Sequence, residues 1–123
     1  MSKVTPLYTT LGEVGAVYYL GNIHNHRGEW VGWVEPATGD VYSTLGFYVG
    51  HLARDQRVLR RRALEDGRSR RPVPPAPERL TLPASFPLPP MMSEVDFSTV
   101  DVLEEEPEKL HTSDAGEMRE DMD

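Results

Sequence analysis

A short motif recurs in the first half of the chain at a spacing of eighteen residues. Asn22–Val34 (NIHNHRGEWVGWV) overlies Asp40–Leu52 (DVYSTLGFYVGHL), matching Gly28 with Gly46, Trp30 with Tyr48, Val31 with Val49, Gly32 with Gly50 and Val34 with Leu52. A third copy at Leu7–Val17 (LYTTLGEVGAV) fits when one residue is deleted before Val14. It then sets Gly12 on the turn glycine and Val14-Gly15 on the Val-Gly pair. Units this small cannot close a core alone and bury their apolar faces against one another. The pattern constrains architecture and specifies no reaction.

Each unit has the form of a β-hairpin: a short strand, a turn ending in glycine, and a longer strand of β-branched and aromatic residues. Strands are expected near Leu7–Thr9, Glu13–Leu20, Asn22–Asn25, Glu29–Glu35, Asp40–Thr44, Phe47–Ala53 and Gln56–Arg61. Alternation puts Trp30, Gly32 and Val34 on one face and Val31 and Trp33 on the other, with Tyr48, Gly50 and Leu52, then Val49 and His51, in the matching places. The recurrent strand glycine points to a bulge or to close approach by another side chain, with Trp30 or Tyr48 as an available ring. Val58–Asp66 reads either as a last strand or as a short helix through RRRALEDG that Gly67 ends. The expected fold is all-β: a small repeat domain of short antiparallel hairpins in a pseudo-symmetric arrangement, followed by a Pro-rich, largely disordered C-terminal extension.

The 123 residues have room for one domain, and the second half lacks material for another. Nine of the eleven prolines lie beyond Arg68. The chain therefore divides into a hairpin domain at residues 1–66, an Arg/Pro-rich extended arm at 67–93 and an acidic disordered tail at 94–123. Proline removes backbone donors and favours extended, polyproline II conformations in the arm. A domain of about this size buries only ~60% of its unfolded surface and is marginal alone. With no cysteine to brace it, self-association or a protein partner is expected. The start lacks a signal peptide, and no apolar run is long enough to span a bilayer, so the expected location is cytoplasmic, without membrane contact.

The pattern of hydrophobic and aromatic residues, turn glycine, aromatic, Val-Gly and a closing hydrophobic resembles the bacterial four-fold β-flower domain. It is carried by VYSTLGFYVGHL at Val41–Leu52, by its weaker relatives at Leu7 and Ile23, and by DQRVLRRR at Asp55–Arg62. The resemblance covers residues 7–62, about half the chain. It implies short hairpins around a pseudo-four-fold axis and no established activity. The chain departs in its first copy, one residue short, and in its fourth, where RVLRRR lacks the Gly-aromatic half. A small barrel of the photosynthetic-reaction-centre type is a looser match to YSTLGFYVGHLA.

Chemistry is sparsely represented. No cysteine, phosphate loop or nucleophile elbow is present, so no catalytic residue, cofactor or enzyme activity is expected. His24 and His26, with His51 or Asp40, form a minor candidate for a small His-based metal protein. The repeat opposes it, since His24 aligns with Tyr42 and His51 with Trp33.

The net charge of −7 conceals a split. Residues 1–93 carry 11 basic and 8 acidic side chains, and residues 94–123 carry 2 basic and 12 acidic. Arg54, Arg57, Arg60, Arg61, Arg62, Arg68, Arg70 and Arg71 crowd into eighteen residues. Such a cluster can track a nucleic-acid backbone while exposed aromatics stack on bases, but the acidic tail competes with phosphate and acidic proteins are equal targets. The leading expectation is a non-catalytic protein-interaction or assembly module. Its domain residues would be Trp30, Trp33, Tyr42, Phe47 and Tyr48. Its arm residues would be Arg60, Arg61, Arg62, Arg70, Arg71, Phe86, Leu88, Met91 and Met92, with FPLPPMM (Phe86–Met92) as the docking segment.

Overall fold

The computed structural model describes residues 3–62 and 70–112. The helix alternative through Gly67, Arg68 and the far end of the tail lie outside the described residues. Eight antiparallel strands form one curled sheet in chain order: β1 (Thr5–Tyr8), β2 (Val14–Tyr19), β3 (Asn22–His24), β4 (Trp30–Val34), β5 (Asp40–Ser43), β6 (Tyr48–Leu52), β7 (Val58–Arg61) and β8 (Thr99–Asp101). A one-turn helix α1 (Val102–Glu105) and a 3₁₀ turn (Pro107–Lys109) follow. The all-β reading stands.

The first three hairpins share one turn. Gly12, Gly28 and Gly46 take φ of +86°, +79° and +87°. Each donates its N–H to the carbonyl three residues earlier, on Thr9, Asn25 and Ser43, at 2.9–3.0 Å. The side chain of that earlier residue caps the turn. Asn25 Oδ1 accepts from the N–H groups of Arg27 and Glu29, Ser43 Oγ from those of Leu45 and Phe47, and Thr9 Oγ1 from Glu13. A short polar acceptor three residues before a left-handed glycine is a hairpin signal with a mechanism.

Register settles how the copies align. One bulge recurs between Leu7 and Tyr8, between Ile23 and His24, and between Val41 and Tyr42. Tyr8 faces Val14 where His24 faces Trp30 and Tyr42 faces Tyr48, and Leu7 faces Ala16 where Ile23 faces Gly32 and Val41 faces Gly50. The first unit therefore superposes on the second with no deletion. Gly15 occupies the place of Val31 and Val49, and Ala16 that of Gly32 and Gly50. The expected gap before Val14 is corrected: matching the Val-Gly pair by identity shifted it by one residue.

The neighbours of these glycines also differ from expectation. A methyl built on Gly15 would lie 2.9 Å from Leu103 Cβ, and one on Gly32 would lie 2.7 Å from both Leu110 Cδ2 and Tyr42 O. At Gly50 it would meet Leu59 O at 2.8 Å and Val58 Cγ1 at 3.2 Å. Backbone and leucine, not the rings of Trp30 and Tyr48, press on the missing side chains.

Leu103 and Leu110 come from the segment expected to be a disordered acidic tail. Within it, β8 pairs antiparallel with β7, and Val100, Val102, Leu103 and Leu110 enter the core beside Leu7, Ile23, Val41, Val49 and Val58. Residues 99–110 thus pack with the strands, beyond the boundary expected at residue 66. Four apolar residues among carboxylates made that segment read as solvated. The curled sheet supplies the apolar environment they fill.

The first and fourth units meet through Gln56, which holds φ +66° where Gly39 is the turn residue one unit earlier. Its carbonyl accepts from Tyr8 N–H at 2.7 Å, and its Nε2 donates to Pro6 O at 2.7 Å. Beside it, Arg57 bonds Asp55 Oδ2 and Thr10 Oγ1, and Thr10 donates to Asp101 Oδ2.

Candidate functional site

The arm packs on its own domain. Between residues 70 and 98 it forms no strand or helix and crosses the hairpin tips in reverse order. At the third hairpin, Arg71 N–H donates to Gly46 O at 2.8 Å and Arg70 Nε to Leu45 O at 2.6 Å. At the second, nine residues on, Leu80 N–H donates to Gly28 O at 2.9 Å and Arg79 Nε to Arg27 O at 2.7 Å. The same pair of bonds is thus made twice. The turn glycines permit it, since a Cβ on Gly28 would collide with the Leu80 carbonyl and one on Gly46 with the Arg71 carbonyl.

A further nine residues bring Leu88 and Pro89 to the first hairpin. Here Leu88 stands where Arg70 and Arg79 stood, and proline has no N–H to donate. A methyl on Gly12 would meet Pro89 Cγ at an ordinary 3.6 Å. The arm is held nearby by Tyr8 Oη, which donates to Pro87 O at 2.7 Å, and by Arg57 Nη1 on Ser93 O at 2.9 Å. Half-buried positions fall every third residue at Pro74, Pro77 and Leu80 and, after a shift at Leu82, at Phe86, Pro89, Met92 and Val95. A three-residue spacing matches the turn of a polyproline II strand laid on a surface. The nine-residue period, RR…RL…LP, was readable in the sequence and is hidden by the divergence of its third copy.

The two groups of residues expected to bind partners largely meet each other. Trp33 stacks on Tyr42 with ring centroids 4.7 Å apart, and Tyr48 meets Tyr42 edge-on at 6.1 Å. Arg71 covers Tyr42 at 5.8 Å and Arg70 covers Phe47 at 5.0 Å. Trp30 Nε1 donates to Asn22 Oδ1 at 3.1 Å. Tyr42 is fully buried, and its hydroxyl and Trp33 Nε1 lack a hydrogen-bond partner among the described residues.

Most of the arginine cluster is likewise engaged within the chain. Arg57 and Arg60 are buried, Arg60 pairing with Glu106 at 2.5 Å and Arg57 with Asp55 at 2.6 Å. That hydrogen bond from Arg60 holds the Glu106 carboxyl below its usual range, against the opposing effect of burial. Arg62 bonds Phe97 O, covers the Phe97 ring at 5.2 Å and approaches Glu105 at 3.5 Å. Arg71 approaches Glu35 at 3.7 Å. Arg61 is exposed and lines a groove of about 350 Å³ with Asp40, Tyr48, His51 and Leu59. Arg54 is also exposed, and Arg68 lies outside the described residues.

The histidines do not assemble as ligands. His24 is buried with Nδ1 2.9 Å from Gly28 O, while His26 and His51 are exposed. Among the described residues no three His, Asp or Glu side chains converge on a metal site, and no helix is long and apolar enough to cross a membrane.

Of the docking segment Phe86–Met92, Phe86 and Met92 turn toward the domain and are half-buried. Leu88 and Met91, three residues apart, point outward and are 91% and 101% exposed. Leu11, at the tip of the first hairpin, is 70% exposed. Comparison with protein-family models, curated proteins and solved structures finds no match.

Proposed function

We propose that the protein is a non-catalytic interaction module whose arm braces the hairpin ring and presents a partner-binding surface at the first hairpin. One observation carries this reading. The arm makes its docking bonds at two tips, and at the third replaces arginine by Leu88 and leaves Leu88, Met91 and Leu11 facing solvent. Large apolar side chains left in the open near one another in the chain, or on touching segments such as those of Gly12 and Pro89, are a common mark of an association site. The four-fold β-flower resemblance, which brings no established activity, accords with a binding role. The aromatic set Trp33, Tyr42 and Tyr48 serves the arm rather than a partner.

The test compares the full chain with Leu88→Ser/Met91→Ser. Both side chains are exposed, so the variant keeps its fold. Cross-linking in native lysate, after nuclease treatment, should place a protein partner on residues 86–93 and lose it in the variant. The same proteins recovered with both chains would refute the reading. Recovery of nucleic acid alone would favour the arginines instead.

A further inference from the structure

The chemistry around this surface selects the partner. Leu11, Leu88 and Met91 are flanked by carboxylates. Glu13 lies two residues beyond Leu11 in the same turn, Glu94 and Asp96 follow Met91, and all three are exposed. Glu104 on α1 extends the acidic margin, because α1 packs at Gly15 in the first hairpin, while its neighbour Glu105 is approached by Arg62 at 3.5 Å. The Glu104 carboxyl is held above its usual range, first by burial and then by Asp101, Glu105 and Glu13. Glu13 is thus one of the charges that push Glu104 up, whereas at Glu106 Arg60 pulls the carboxyl down. The opposing charges nearby are Lys3, beside Phe86 and Pro87 in a groove of about 530 Å³, and Arg57 and Arg62, which are already paired with Asp55 and Glu105.

We infer that this surface takes a cationic, apolar segment of a protein partner, with leucine-like side chains on Leu11, Leu88 and Met91 and lysine or arginine against Glu13, Glu94 and Glu104. The inference rests on the interaction reading above and adds the sign of the partner's charge. A second copy of this chain would bring the same carboxylates face to face, which opposes self-association through this patch. Nucleic acid and anionic lipid surfaces are repelled for the same reason. A segment that is basic along one face and apolar along the other gains from both features, because its charges relieve an acidic field already present in the free protein.

The probe is a synthetic amphipathic peptide with leucine on one face and lysine on the other, titrated into the full chain by calorimetry. Its control carries glutamate for every lysine. Binding of the basic peptide alone is expected, weakened about tenfold or more by Leu88→Ser/Met91→Ser, as for loss of anchor residues. It should weaken several-fold in Glu13→Gln/Glu104→Gln and with added salt, which screens exposed charge. Binding of the acidic peptide, equally well and through Leu88 and Met91, would overturn the charge assignment and leave the interaction reading standing. No binding of either peptide at millimolar concentration would overturn the inference, while the lysate cross-link tests the interaction reading separately. Equal binding to wild type and to Leu88→Ser/Met91→Ser would place the peptide elsewhere and overturn it too. Vesicles of anionic lipid and a generic duplex DNA complete the series, and binding of either at physiological salt would contradict the charge argument.

Discussion

Single positions carry geometric duties that composition does not reveal. Gly28 and Gly46 take left-handed φ in their turns and also leave the space in which the arm's backbone sits. Gly32 and Gly50 sit in ordinary extended strands, and a side chain there would strike a neighbouring carbonyl at 2.7 and 2.8 Å. Backbone cannot step aside as a flexible side chain can. Gly50→Val should cost about 2 kcal/mol, as overpacking does, and lower Tm by roughly 10 °C for a domain of this size. An unchanged melting temperature would contradict this account of the repeat. Gly28→Ala should instead lift the arm at the second station, read as faster amide exchange at Leu80 while the strands stay protected. Gln56 shows the opposite economy. It accepts an unfavourable φ in exchange for two hydrogen bonds that tie the fourth unit to the first.

At the scale of elements, the hairpins are locally encoded and their completion is not. The capping Thr9, Asn25 and Ser43 and the turn glycines lie within a few residues of the bonds they form, so three hairpins could be read from the chain. The fourth joins β7 to β8 across a connection of more than thirty residues, and no local pattern announces such a pairing. Leu103 and Leu110 fill space at Gly15 and Gly32, which makes the acidic segment a structural part of the core. Leu103→Ala should destabilise by about 2–4 kcal/mol, the range for cavities left by leucine. Chemical denaturation would show this as a lower midpoint, and a variant as stable as wild type would contradict the placement of α1. In the arm, Arg79→Ala removes one hydrogen bond, net about 1 kcal/mol. Exchange at Leu80 should rise while global stability barely falls.

Across the whole molecule, opposite charges that are separated in sequence meet in space. The Arg-rich middle finds the acidic tail: Arg60 takes Glu106 and Arg62 takes Glu105. Because the Glu106 carboxyl is depressed by Arg60, its stabilisation is complete above the unfolded value of about 4.3. It is lost as pH falls through the lower folded value. The stability difference between wild type and Glu106→Gln, measured by denaturation, should be constant near neutrality and vanish in acid. Glu104, shifted upward, acts in the opposite sense. It disfavours the fold at neutral pH and ceases to do so as it protonates, so Glu104→Gln should gain stability at pH 7 and none in acid.

The sequence by itself determined the all-β class, the hairpins with their turn glycines, the extended arm and the opposition of charge along the chain, because each rests on contacts within a few residues or on composition. Only the tertiary structure decided that the tail completes the sheet, that the arm's arginines spend their hydrogen bonds on the hairpin tips, and that Leu88 and Met91 are left outside. Those outcomes depend on which surfaces meet at long sequence separation, where packing and burial override the local polarity that made 99–110 look solvated.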